Sequence, residues 1–99
     1  DGGEFTTPPM RFDGDTLQLN IDTSGIGLAR VEIQDADGTP IPGFTLDDCD
    51  RIHATNATSS AVTWGGNSDV SALADAPIRL RVELQFGTRL YAFRFGNGE

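Results

Sequence analysis

The chain is poor in the residues that most protein chemistry uses. Its 99 residues include one cysteine, one histidine, one tryptophan and one tyrosine. Cys49 alone excludes an internal disulfide, and the flanking Asp48 and Asp50 disfavour a reactive thiolate. One histidine excludes a two-histidine metal site. It leaves Cys49 with His53 as the sole Cys-His pair, too few nitrogen and sulfur ligands for zinc or copper. No nucleophile elbow is present, and the Cys-His pair sits in an acidic loop, so a hydrolytic triad has no scaffold and no catalysis is expected. Positive charge is scarce as well: seven basic residues against fifteen acidic ones give a net charge of −8. That field repels polyphosphates, so nucleic acid is excluded as a partner and anionic membrane surfaces are disfavoured. No run approaches the ~18 apolar residues of a spanning helix. The chain begins at Asp1 with no charged-then-apolar leader, which reads as a module cut from a larger protein.

Strands and turns remain. A chain of this length makes one domain and buries roughly two-thirds of its unfolded surface in a single core. Twelve glycines and five prolines point to many turns. The clearest stretch is 77–95. Ile78, Leu80, Val82, Leu84 and Phe86 alternate with Arg79, Arg81, Glu83 and Gln85, and Tyr91, Phe93 and Phe95 repeat the pattern after Gly87-Thr88. This predicts a hairpin around which the domain is organised. Leu17, Leu19 and Ile21 alternate with Gln18, Asn20 and Asp22 in one further strand, and Ala29, Val31 and Ile33 with Arg30, Glu32 and Gln34 in another. Asp13-Gly14-Asp15, Ser24-Gly25 and Asp35-Ala36-Asp37-Gly38 mark turns. Pro8-Pro9 confines the first strand to an edge, and Thr39 to Phe44 reads as an edge piece tucking Ile41 and Phe44 over the core. Asp47 to Ser60 reads as a long polar loop with at most a short strand, Val62-Thr63-Trp64 as a further strand, and Asp69 to Leu73 as one helical turn capped by Ser68 or Asp69. The expected fold is an all-β, antiparallel, jelly-roll-like sandwich spanning 1–99. Leu19, Val31, Ile33, Leu80, Val82, Leu84 and Phe93 are expected to be buried together.

In order, Val31 to Gly38, Pro40 to Phe44, Asp48-Cys49-Asp50, Val62-Thr63-Trp64, Ser68 to Leu73, Pro77 to Leu84 and Leu90 to Phe95 resemble an accessory domain. That domain is found at the C-terminal end of large secreted bacterial proteins similar to five-bladed-propeller glycoside hydrolases. The same order of elements is similar to jelly-roll carbohydrate-binding modules. The resemblance implies an extracellular, non-catalytic module that binds a polysaccharide or oligosaccharide for a parent catalytic domain in the same chain. The competing class is a structural spacer that docks and stabilises its parent without binding glycan.

The residues themselves offer three constellations. Asp47, Asp48 and Asp50 are oxygen ligands of the kind calcium takes, but without the spacing of a helix-loop-helix site; no cofactor is expected, with a structural calcium as the alternative. Trp64 is either a platform for a pyranose face or a plug at the sandwich end. Arg79, Arg81 and Glu83 must share the wet face of their strand in a row with about 7 Å between neighbours, and Arg30 and Glu32 join them if the strands are close. Together with Asn20 they supply the amide, carboxylate and guanidinium groups that pair with sugar hydroxyls. Two or three arginines on an acidic protein suggest a locally positive site for uronic or sulfated sugars. The other reading of this strip is a solvated sheet with cross-strand ion pairs such as Arg30 with Glu83.

Overall fold

The computed structural model describes residues 2–23, 27–53, 56–85 and 88–96. Seven strands lie among them: β1 (Gly2–Thr6), β2 (Thr16–Asp22), β3 (Leu28–Asp35), β4 (Ile52–His53), β5 (Asn56–Ala61), β6 (Ile78–Gln85) and β7 (Arg89–Gly96). They form two antiparallel sheets, ordered β1-β6-β3-β4 and β5-β2-β7. The all-β expectation is met, and helix among the described residues is confined to one 3-10 turn at Ser71–Leu73. Asp69 organises that turn by accepting hydrogen bonds from Ser71 N at 2.9 Å and Ser71 Oγ at 2.7 Å.

Period-two alternation accounts for the core. Leu17, Leu19 and Ile21 from β2, Ala29, Val31 and Ile33 from β3, and Ile78, Leu80 and Val82 from β6 are each at most 2 % exposed and belong to one apolar cluster. Leu84 and Phe93, expected at full burial, are only partly buried against that cluster. Both border an open cleft at one side of the molecule. Thr16 and Gln18 depart from the pattern in the other direction: both have the wet parity of β2, yet each is 4 % exposed.

The hairpin predicted across Gly87-Thr88 does not form. β6 lies between β1 and β3 in the larger sheet, whereas β7 pairs with β2 in the smaller one. Each of these strands carries a long apolar stripe, and opposite sheets let the two stripes face one another across the core instead of lying side by side on one surface. Thr88 fastens the crossover: its Oγ1 donates to Gln85 O at 2.7 Å and accepts from Leu28 N at 2.8 Å. Phe86, Gly87 and the Ser24-Gly25 turn lie outside the described residues. Crossing is the rule in this chain, since every connection except β3 to β4 passes from one sheet to the other.

β1 is an edge strand paired to β6, as the following prolines require. At the far edge, β4 covers only Leu28 and Ala29 of β3. The proline-rich segment takes over from there: Ile33 N donates to Phe44 O at 2.9 Å and Ile41 N to Ile33 O at 3.0 Å. The polar stretch Asp47 to Ser60, read as loop, contains β4 and β5. Asn56–Ala61 lacks apolar alternation and owes its strand form to its ladder with β2. Val62-Thr63-Trp64 is no ladder strand; Trp64 makes isolated bridges to Cys49 and Asn67.

Candidate functional site

The polar strip foreseen on β3 and β6 exists. The β3–β6 register sets Arg30 opposite Glu83, Glu32 opposite Arg81 and Gln34 opposite Arg79, all on the face turned away from the core. Register also decides the strip's chemistry, because opposite charges directly across a ladder neutralise each other. Arg30 Nη2 lies 2.8 Å from Glu83 Oε1. Arg81 pairs with Glu4 of β1 and lies 3.7 Å from Glu32. Through its hydrogen bond Arg81 holds the Glu4 carboxyl below its ordinary value, and Glu4 raises Arg81 in return. Arg79 is engaged by backbone, donating from Nε to Ala36 O at 2.9 Å and from Nη1 to Thr7 O at 3.4 Å.

Arg30 and Arg81 thus meet three glutamates, Glu4, Glu32 and Glu83, and with Arg79 counted the strip carries no excess positive charge. Glu32 is itself 4 % exposed. Its Oε2 accepts from Gln34 Nε2 at 2.8 Å and its Oε1 from Leu46 N at 3.2 Å. The locally positive site expected from the sequence is replaced by a self-paired network that braces three strands and the Leu46 turn.

Two other predicted residues lie elsewhere. Trp64 is 3 % exposed, stacks edge-on against Phe44 with ring centroids 5.3 Å apart, and donates Nε1–H to Val31 O at 2.9 Å. Its ring is a plug with no face free for a sugar. Asn20 belongs to β2, in the other sheet, and is not part of the strip.

Asn20 instead borders a recess on the outer face of the three-stranded sheet. Gln18 faces Arg94 across the β2–β7 ladder, and Asn20 faces Ala92. The small Ala92 between longer neighbours leaves a hollow of about 160 Å³ lined by Gln18, Asn20, Ala92, Phe93 and Arg94. Arg94 is exposed, and no carboxylate is bonded to it among the described residues, whereas Arg30 and Arg81 are both ion-paired. An amide and a guanidinium flanking a shallow apolar floor can grip adjacent hydroxyls or a carboxylate while a ring face covers the methyl. Arg94 and Ala92 have the wet parity that follows from turning Phe93 and Phe95 inward, but the repeat does not say that β7 lies beside β2, which is what sets Arg94 next to Gln18 and Ala92 next to Asn20. A β-bulge at the Asn20/Ile21 step displaces Tyr91 alone, pairing Ile21 with Leu90 and Asn20 with Ala92 and leaving Tyr91 as the extra residue. A lone alanine between aromatic positions was the visible signal.

The acidic loop is occupied with its own backbone. Asp48 Oδ2 accepts from Thr45 Oγ1 at 2.9 Å and from Thr45 N at 3.3 Å. Asp50 Oδ2 accepts from Thr63 Oγ1 and Gly66 N, both at 2.7 Å, and these bonds hold its carboxyl below the ordinary value. No cluster of three or more His, Cys, Asp or Glu able to hold a metal gathers among the described residues. Cys49 is buried; desolvation pushes its thiol up, and the Asp50 charge adds to the rise. The side chain of His53, its possible partner, lies outside the described residues. No family model, curated protein or solved structure matches the chain.

Proposed function

We propose that this chain is a non-catalytic carbohydrate-binding module of a secreted polysaccharide-active protein, with its ligand in the Gln18–Asn20–Ala92–Arg94 recess. The observation that carries this reading is Arg94: an exposed arginine without a carboxylate partner among the described residues, beside amides and above a small apolar floor. A hollow of about 160 Å³ is small beside the ~300–1,000 Å³ of pockets for drug-sized ligands. It suits one sugar of a longer chain whose remainder lies along the sheet. Arg94 favours a uronic or sulfated unit, since guanidinium pairs with carboxylate or sulfate through parallel hydrogen bonds. The alternation of strands between sheets, with β1-β6-β3-β4 over β7-β2-β5, we read as a seven-stranded jelly roll, an architecture that hosts many functions and by itself assigns none.

The test is affinity electrophoresis and titration calorimetry on neutral and uronate polysaccharides. Wild type is retarded by a uronate-containing glycan. Arg94→Ala and Asn20→Ala lose about tenfold or more in affinity, the scale of a lost charge-assisted hydrogen bond, while the Arg79→Ala/Arg81→Ala double variant retains binding wherever it remains folded. Absence of retardation by every glycan refutes the reading. The second reading, a domain that docks other polypeptide, is favoured by a different observation: the exposed large hydrophobics among the described residues, Phe5 and Tyr91, border one cleft.

A further inference from the structure

The larger sheet ends in β1 and the smaller in β7, and residues of both strands border one cleft. Among the described residues, β1 and β7 are each hydrogen-bonded to a strand on one flank only, β1 to β6 and β7 to β2. Between them runs a cleft of about 410 Å³, with Phe5 and Leu84 on one wall and Leu90, Tyr91, Ala92 and Phe93 on the other. No charged side chain lines it among the described residues. Phe5 is 40 % exposed and Tyr91 61 %, and they are the exposed large hydrophobics among the described residues. The bulge in β7 takes Tyr91 out of the strand's alternation and brings it to this wall.

We infer that the cleft between β1 and β7 is a strand-acceptor site, which takes an extended segment of a partner polypeptide along the open edge of β7. The cleft adjoins the outer-face recess and shares Ala92 and Phe93 with it, but the inference does not rest on sugar binding there. Backbone chemistry selects the occupant. A free edge presents a row of N–H and C=O groups at strand spacing, which an extended peptide satisfies and a helix does not. Eight residues of β7 offer roughly 26 Å of such edge. The inserted segment places alternate side chains inward, so it carries apolar residues at every second position to fill the space between Phe5 and Tyr91. Its outward side chains run beside Arg94, and a carboxylate there gives the cross-strand pair that fixes register. A second copy of this chain is the weaker occupant, since β7 against β7 brings arginines and no carboxylate to the new ladder.

The test uses fluorescence anisotropy with three labelled synthetic peptides of about ten residues, a length set by the β7 edge. One alternates valine with glutamate, one alternates valine with lysine, and one is the first with two central valines replaced by proline. The full chain binds the glutamate peptide saturably and the lysine peptide at least about tenfold more weakly, and the proline peptide does not bind. Arg94→Glu reverses the preference between the first two, and Tyr91→Glu abolishes binding with the far-ultraviolet dichroism of wild type. Amide exchange of β7 slows in the presence of the glutamate peptide. Because binding to the wild-type chain is itself a readout, a variant that fails to fold does not obscure the result. No saturable binding of the glutamate peptide overturns the inference, as does equal binding of the proline peptide, which would signify a generic greasy surface. Sedimentation showing a dimer that Tyr91→Glu dissolves overturns it too, in favour of a second copy.

Discussion

The indole Nε1–H of Trp64 donates to the backbone carbonyl of Val31 across 2.9 Å of core. β4 covers β3 only at Leu28 and Ala29, so the Val31 carbonyl has no neighbouring strand and a side chain from a distant loop takes the place of a ladder donor. Trp64→Phe keeps a ring against Phe44 but leaves that buried carbonyl without its donor, at a cost of about 1–3 kcal/mol. Urea denaturation measures it. Because Trp64 is the sole tryptophan, its emission reports the plug directly: a blue-shifted spectrum, insensitive to iodide and unchanged by saturating glycan, is expected. A red-shifted, readily quenched signal contradicts the packing.

Two of the charge pairs on the larger sheet, Arg81 with Glu32 and Arg30 with Glu83, differ in depth, and their removal differs accordingly. Glu32→Ala strips acceptors from Gln34, Leu46 and Arg81 in a nearly solvent-free position and costs about 1–3 kcal/mol. Glu83→Ala breaks a pair whose side chains are 27 % and 23 % exposed and costs at most about 1 kcal/mol. Equal shifts of the urea midpoint for the two variants would falsify the assignment of Glu32 as the brace.

Asp50, Asp69 and Glu4 all sit below their ordinary carboxyl values, held there respectively by hydrogen bonds from Thr63, from Ser71 and from Arg81. A carboxyl depressed in the folded state stabilises the fold above its unfolded value, here 3.8 for Asp and 4.5 for Glu, and that contribution is lost as pH falls through the folded value. The melting temperature is therefore expected to be level with respect to these groups from neutrality to about pH 5 and to decline below. Asp50→Asn flattens the acid limb; an unchanged limb contradicts the role given to the Thr63 and Gly66 bonds.

Cys49 should behave as a core atom. Its Sγ accepts from Val31 N and donates to Asp50 O, each at 3.3 Å. With desolvation raising the thiol, iodoacetamide at pH 8 leaves the folded chain unmodified over hours and alkylates it once urea exceeds the unfolding midpoint. Mass spectrometry distinguishes the two, and rapid modification of the native chain contradicts the burial.

Alternation made the individual strands legible and left their partners hidden. Leu17 to Ile21, Ala29 to Ile33 and Ile78 to Val82 disclose an inward and an outward face because a half-buried strand repeats every two residues. Nothing in that repeat says which strand lies beside which, so proximity along the chain suggested a hairpin where the molecule makes a crossover. Asn56–Ala61 was illegible for the opposite reason: its residues carry no apolar stripe, and the neighbour β2 imposes its conformation. At the candidate site, the parity of Arg79, Arg81 and Glu83 is readable, but the pairing of Arg81 with Glu4 and Glu32 and of Glu83 with Arg30 is a product of register. Arg94 has an outward parity that the alternation discloses, but its place beside Gln18 follows from the β2–β7 pairing, which the alternation does not.

The crossing of connections between sheets also bears on how the chain reaches this state. β6, whose ladders hold both β1 and β3, comes from the last quarter of the sequence, and the pairing of Gly2 with Gln85 joins nearly opposite ends of the described chain. Closing such distant segments consumes loop entropy before any contact repays it, which places the protein among slow, high-contact-order folders. On a ribosome, the larger sheet has no centre until β6 emerges. Until then β1 has no partner and the apolar stripe of β3 has only β4 and the Ile41–Phe44 segment beside it, so the emerging chain carries that stripe uncovered until β6 arrives.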